Sequence, residues 1–254
     1  MKGITSKRRA VTILACVSLL LLVAQSVGAA GGGGWQNHIS IYGWYAGIDG
    51  TVEFPDGSGA DVEVEASDIL EDLNLMFMGT YEGRYNRWSF VIDGVYLDAG
   101  EKGSTTTAAG AASVDLNVSS WVVNGGIGYD FIYDDRNNFG IIGGVRYLSL
   151  DGEIEAGLEG SSTRSTSENE SLTDGFIGLR GHFSFNENWY LPYYADIGAG
   201  GSDLSYQLFA AIGYRYNWFD VRLGYRHLYF DLGDDRFMEE LQISGPVLGV
   251  GFTF

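Results

Sequence analysis

Between residues 204 and 231 apolar and polar side chains change places at almost every step. Leu204, Tyr206, Leu208, Ala210, Ile212, Tyr214 and Tyr216 alternate with Ser205, Gln207, Ala211, Gly213 and Arg215. Then Phe219, Val221, Leu223, Tyr225, His227 and Tyr229 alternate with Asp220, Arg222, Gly224 and Arg226. A period of two is the signature of a strand with one apolar and one polar face. Residues 73–85 repeat it, and no helix-period stretch of useful length follows the first thirty residues. The alternation predicts ten strands, at about 37–49, 73–85, 88–100, 114–131, 138–151, 172–185, 189–199, 204–216, 218–231 and 241–254; eight or twelve remain open.

Alternation suits two all-β architectures. In a sandwich the apolar face is the core. In a single closed antiparallel up-and-down transmembrane β-barrel it meets lipid, and the polar face lines the lumen. Three features favour the barrel. Short turns (86–87, 134–137, 186–188, 217–218) alternate with longer loops (about 50–72, 100–113, 152–171, 232–240, and the shorter 200–203), as in barrels trimmed at one membrane side. Trp88, Tyr129, Phe131, Phe139, Phe185, Trp189, Tyr214, Tyr216 and Phe219 flank the short turns, as an interfacial girdle would. The chain also ends on GPVLGVGFTF, an alternating strand with no polar tail. A free edge of that kind invites aggregation unless it pairs, and an even strand number lets the last strand close on the first.

The first 29 residues read as a signal peptide. Lys2, Lys7, Arg8 and Arg9 precede the apolar run Ala10–Ala24, and Val27-Gly28-Ala29 supplies small residues for cleavage after Ala29 or Ala30. The run is short for a spanning helix, which takes ~20 residues. Cys16, the one cysteine, lies inside it, so the mature chain (30–254, read as one domain) has neither disulfide nor thiol nucleophile. That mature chain carries 11 basic against 33 acidic residues, hence −22, which argues against nucleic acid or an anionic surface as partner.

A signal peptide, alternating strands and a final apolar strand ending in phenylalanine resemble Gram-negative outer-membrane β-barrel proteins. The terminal motif falls on Leu248, Val250, Phe252 and Phe254. The resemblance covers the mature chain. It implies residence in the cell outer membrane, contact with its lipid, and a partner in the barrel-assembly machinery that reads the last strand. It says little about activity, because small barrels include structural proteins, channels, adhesins and enzymes.

Alternation turns Glu82, Arg84, Asp93, Asp130, Arg146, Asp174, Arg180, His182, Asp196, Arg215, Arg222 and Arg226 inward. Confined charges must pair or stay hydrated, and arginine suits pairing because its planar fork matches a carboxylate. The expectation is a lumen filled by this network, in a monomeric, non-enzymatic structural protein or narrow solute path, with no cofactor or metal. The alternative is an enzyme. Omptin-like proteases and lipid A-modifying acyl enzymes resemble the chain in size and use histidine at the lipid or extracellular side. His38 and His182 fall toward the periplasmic end, and His227 on the lipid register. Asp231 is the acid of its own strand but lies ~13 Å along it, beyond hydrogen-bond reach; a serine would have to come from a neighbouring strand. The outer loops are acidic, notably 49–72 and 153–170, without EF-hand spacing. DGSGAD (56–61) reads as a hairpin tip, and SDILEDL (67–73) as one helical turn or an ordinary loop.

Overall fold

The structure, a computed structural model, describes residues 34–53, 59–64, 66–67, 73–107, 110–134, 136–158, 164–233 and 238–254. The signal segment and Cys16 lie outside them. The strands are β1 (Trp35–Trp44), β2 (Gly47–Glu53), β3 (Gly59–Val64), β4 (Leu73–Tyr85), β5 (Trp88–Thr107), β6 (Gly110–Tyr133), β7 (Asn137–Leu158), β8 (Arg164–Ser184), β9 (Trp189–Gly200), β10 (Leu204–Tyr216), β11 (Phe219–Asp231) and β12 (Met238–Thr253). From β4 onward each pairs antiparallel with the next. β12 then pairs with β1, from His38↔Thr253 to Trp44↔Val247, and β1 pairs with β4, which shuts the ring.

β1 and β2 are one barrel strand with a break at Tyr45–Ala46, since both pair with β12. Opposite the break, a Cβ on Gly245 would run into the backbone of Tyr45 and Ala46, so glycine permits the close approach. The barrel thus has ten strands, with β3 as the return arm of a hairpin on β2. That hairpin pairs Glu53↔Gly59 through Ile48↔Val64; its tip, 54–58, lies outside the described residues. Of 67–73, Ser67 is helical and Leu73 opens β4, and the rest is likewise outside.

The tight turns use the residues their geometry needs. Asn86 and Asn217 sit at φ 54° and 41°, the left-handed region asparagine tolerates best after glycine, and each joins two strands over two residues. Two of the expected outer loops are corrected. Residues 100–113 and 152–171 are mostly strand: β5 and β6 stay paired to Thr107↔Gly110, and β7 and β8 to Ala156↔Arg164. Backbone pairing carries these ladders on after the apolar alternation fades. On the other side the wall ends early, at the turn between Gly200 (φ 147°) and Leu204.

The interior has two halves. Near the short turns it is polar. Toward the long strands it is an apolar core of Trp44, Met78, Val95, Val122, Leu148, Leu172, Leu228, Phe230, Leu232, Leu241 and Val247. The expectation of a lumen filled by charge along its length is corrected accordingly.

Candidate functional site

The inner lumen is built in layers by side chains that strand alternation turns inward. Nearest the short turns, Asp220 and Arg222 of β11 meet His38 of β1 and Tyr190 of β9. Tyr190 Oη donates to Asp220 Oδ1 at 2.7 Å and Arg222 Nε donates to the same oxygen at 2.6 Å; His38 Nε2 lies 2.9 Å from Oδ2. Across the lumen Glu82 accepts from Arg84 (2.8 Å) and Arg180 (2.6 Å), while Arg84 also pairs with Asp130, which Asn138 donates to at 3.1 Å. These residues roof a vestibule of about 660 Å³ at the short-turn end, with His182 and Arg215 in its wall. Arg215 lies 4.8 Å over the Tyr190 ring.

The next layer centres on two buried arginines. Arg226 donates to Asp93 (2.8 Å), to Tyr42 Oη (2.7 Å) and to Gln207 Oε1 (2.7 Å), with Trp44 stacked 4.8 Å away. Tyr42 and Thr80 each donate to Asp93 at 2.7 Å. Arg146 donates to Asp196 (2.5 Å), Asn124 (2.8 Å) and Ser205 (3.3 Å) and has no exposed surface. Asp174, opposite Arg146 in the ladder, instead accepts the backbone N–H and hydroxyl of Ser202 (2.8 and 2.6 Å), which pins the short β9–β10 turn. A chamber of about 210 Å³ touches both layers. These ion pairs are answered by further hydrogen bonds, which a buried charge needs, although Asp130 Oδ1 and Asp196 Oδ1 are buried without a hydrogen-bond partner among the described residues.

All twelve residues named from alternation therefore face the lumen. Among their partners, Ser205, Gln207 and Asp220 stand on the polar faces that alternation assigns to β10 and β11; Tyr42, Thr80, Asn124 and Tyr190 are neutral and follow from the same period of two.

Outside, the polarity is reversed. Ile41, Ile127, Ile177, Ile197, Leu223 and Leu248 stand exposed in one band. At its lower edge lie Trp35, Trp88, Phe131, Phe185, Trp189, Tyr216 and Trp218, all exposed. At its upper edge lie Tyr45, Tyr96, Trp121, Tyr147, Tyr206 and Tyr229, with Tyr96–Trp121 rings 4.4 Å apart and Tyr206–Tyr229 rings 5.0 Å apart. An apolar belt between two aromatic girdles, around a charged interior, is the anatomy of a strand-built membrane span. The fold is that of a transmembrane β-barrel. Above the upper girdle the outside turns polar, with Asp98, Asp231, Glu240 and Gln242. There the interior turns apolar, as in a barrel standing in water.

No protein-family model and no curated protein matches this sequence. Solved structures do. The barrel is similar to the outer membrane protease OmpT from Escherichia coli (11% identity, 87% of this chain and 96% of that one, TM-score 0.49). It is also similar to the translocator domain of the autotransporter NalP from Neisseria meningitidis (16%, 97% and 98%, TM-score 0.45) and to Ail, the attachment invasion locus protein of Yersinia pestis (12%, 87% and 99%, TM-score 0.39). At these values no argument about activity rests on them.

The terminal motif and His227 complete the survey. Leu248 and Val250 face outward, Phe252 stacks on Trp218 (5.7 Å), and Phe254 exchanges two backbone hydrogen bonds of 3.0 Å with Asn37. His227 faces outward in the upper girdle, but its partner is not Asp231, whose carboxylate accepts from Gly233 N–H. The distance along β11 puts Asp231 out of reach, and the serine comes from the neighbouring strand: the register sets His227 against Ser244 of β12, with Nδ1 2.6 Å from Ser244 Oγ and Nε2 3.2 Å from Tyr206 Oη.

Proposed function

We propose that the interior of this barrel is structural: it braces the wall and neither conducts nor catalyses. The observation that carries this reading is the apolar layer above the ion pairs. Leu228 and Phe230 have no exposed surface and Leu148 and Val122 almost none, although all four point into the lumen. A ten-stranded ring is only slightly wider than the eight-stranded barrels whose side chains already fill them. The arginine–carboxylate layer stiffens the membrane-embedded half, and the apolar layer seals the outer half. Such a plug supports a rigid stem that holds the extended β5–β8 sheet outside the membrane. From Asp98 to Thr107 that sheet continues for ~30 Å along the strand.

Planar-bilayer recording of the purified barrel tests this. We expect no steady current from the wild type. Cutting Arg180, Arg215 and Arg222 to alanine should leave it closed, because the apolar layer lies across the path. Adding Trp44→Ala and Phe230→Ala to that triple variant should open it. A steady wild-type conductance on a trimeric porin's scale overturns the plug and supports the solute-path reading instead.

A further inference from the structure

With the lumen sealed, the reactive side chains left over are on the outer wall. Ser244 Oγ and His227 Nδ1 are 2.6 Å apart, within the distance of a nucleophile and its base. The two residues are direct cross-strand partners on β12 and β11, so a rigid ladder holds the pair. Both are partly exposed on the lipid-facing side. Tyr206, from β10, fixes the imidazole through its far nitrogen at 3.2 Å, and its ring lies 5.4 Å from the imidazole and 5.0 Å from Tyr229. With Nε2 protonated toward Tyr206 Oη, Nδ1 carries the free lone pair and accepts the serine proton.

The depth of the pair names its substrate. Below it on the same face stand Pro246, Tyr225, Leu248 and Leu223, all exposed to lipid; above it stand Gln242 and Glu240, which meet water. The Ser–His pair therefore sits at the apolar-to-polar boundary of the outer leaflet, where lipids carry their acyl ester carbonyls.

We infer that Ser244 and His227 form a lipid-facing acyl-ester hydrolase site, with Tyr206 as a positioning residue. Ser244 Oγ attacks the ester carbonyl carbon while its proton passes to His227 Nδ1. The bond to the lipid's alcohol oxygen breaks, and that oxygen leaves with the proton from Nδ1. Water then attacks the acyl-serine, giving one proton to Nδ1, and the fatty acid departs as the serine recovers its proton. Ester and water become acid and alcohol, with no other reactant.

The full-length refolded barrel is placed in vesicles of phosphatidylglycerol alone, or of phosphatidylglycerol with lipopolysaccharide, and released fatty acid is measured. A fluorophosphonate probe is applied in parallel, and folding is checked by the heat-dependent gel shift. We expect fatty-acid release and labelling of Ser244 in the wild type. Both should fall at least tenfold in folded Ser244→Ala and folded His227→Gln. Tyr206→Phe should lower the rate and shift its pH profile, which a packing role alone would not do. Glycerophospholipid products identify phospholipid as the source, and release only with lipopolysaccharide identifies its acyl chains. No release from either vesicle, or release that survives in whichever of the two variants folds, overturns the proposal. Bilayer conductance is a separate readout, so this result and that for the sealed lumen fail independently.

Discussion

Replacing Arg226 by methionine isolates what the buried ion pairs contribute. Methionine keeps the length of the stem and removes three donors, to Asp93, Tyr42 and Gln207. Asp93 is then left charged, with Tyr42, Thr80 and Asn124 still donating to it at 2.7, 2.7 and 3.3 Å. Removing one partner of a buried ion pair costs about 3–5 kcal/mol. The three remaining donors, and the 210 Å³ chamber through which water can reach the carboxylate, place this case at the low end, about 3 kcal/mol. With a urea slope of about 1–3 kcal/mol/M, the unfolding midpoint should fall by ~1–3 M.

The decisive variant is the double one. Asp93→Asn neutralises the carboxylate and keeps its shape, so Arg226→Met with Asp93→Asn should recover at least half of the loss, and the double-mutant cycle should give a coupling above about 1 kcal/mol. Tryptophan fluorescence during urea unfolding in detergent micelles, with the gel shift as the folding check, reads all four corners. A loss below about 1 kcal/mol for Arg226→Met together with no recovery in the double variant would mean a fully hydrated pair, and the idea of a bracing layer would fail.

Leu223 is 62% exposed to the membrane side, so Leu223→Arg should cost about 2–4 kcal/mol and lower the folded fraction more than Arg222→Leu, whose partner Asp220 keeps Tyr190 and His38. The reverse order on unboiled gels would mean the faces are misassigned. Deleting Phe254 removes both of its backbone bonds to Asn37 at the closing seam, so less of the chain should reach the heat-modifiable form; unchanged assembly would count against the terminal strand as an assembly address. In the β6–β7 turn, Asp134 accepts the N–H groups of Arg136 (2.8 Å) and Asn137 (2.7 Å), which holds its carboxyl below the usual value. Its stabilisation is therefore complete above pH ~4 and lost as pH falls through the lowered pKa. Wild type and Asp134→Ala should differ in urea midpoint at pH 7, with the gap closing as pH falls through the lowered pKa, and a gap independent of pH would refute the link.

What could be read from the chain follows from what a strand repeats. Because its period is two, one correct register on β11 assigns Arg222 and Arg226 to the lumen and Leu223 and Tyr225 to lipid together. The turns announced themselves through Asn86 and Asn217. The extensions of β5–β8 did not, because TTTAAGAASV has small side chains on both faces and no lipid to demand alternation. The outer apolar core was hidden for a different reason. Leu228 and Phe230 share the register of Arg222 and Arg226, so alternation turns them inward; what hid the core was their apolar character on a face read as charged. The Ser244–His227 contact spans 17 residues and two strands, so no motif within one strand could display it.

The same inversion of polarity orders the whole molecule. Inside the membrane, lipid takes the apolar face and the lumen must hold polar groups, which are costly to leave unpaired in a narrow tube; hence Arg84, Arg146, Arg180, Arg222 and Arg226 each meet a carboxylate, while Arg215 lies over the Tyr190 ring. Above the upper girdle, water takes the outer face, and the lumen becomes the cheaper place for leucine and phenylalanine. The crossover runs along β11 between Arg226 and Leu228 on the inside, and between Tyr225 and Asp231 on the outside. His227 sits at that crossover. A polar side chain on the lipid face is tolerable only near such a boundary, since the cost of exposing one to lipid is greatest at the bilayer midplane and fades toward the interface. Moving the pair two residues down the ladder separates the explanations: Tyr225→His with Pro246→Ser, in a His227→Leu, Ser244→Ala background, places the same two groups below the girdle. If depth sets the chemistry, that variant folds less well and releases no fatty acid; release equal to the wild type's would mean that depth has no part in it.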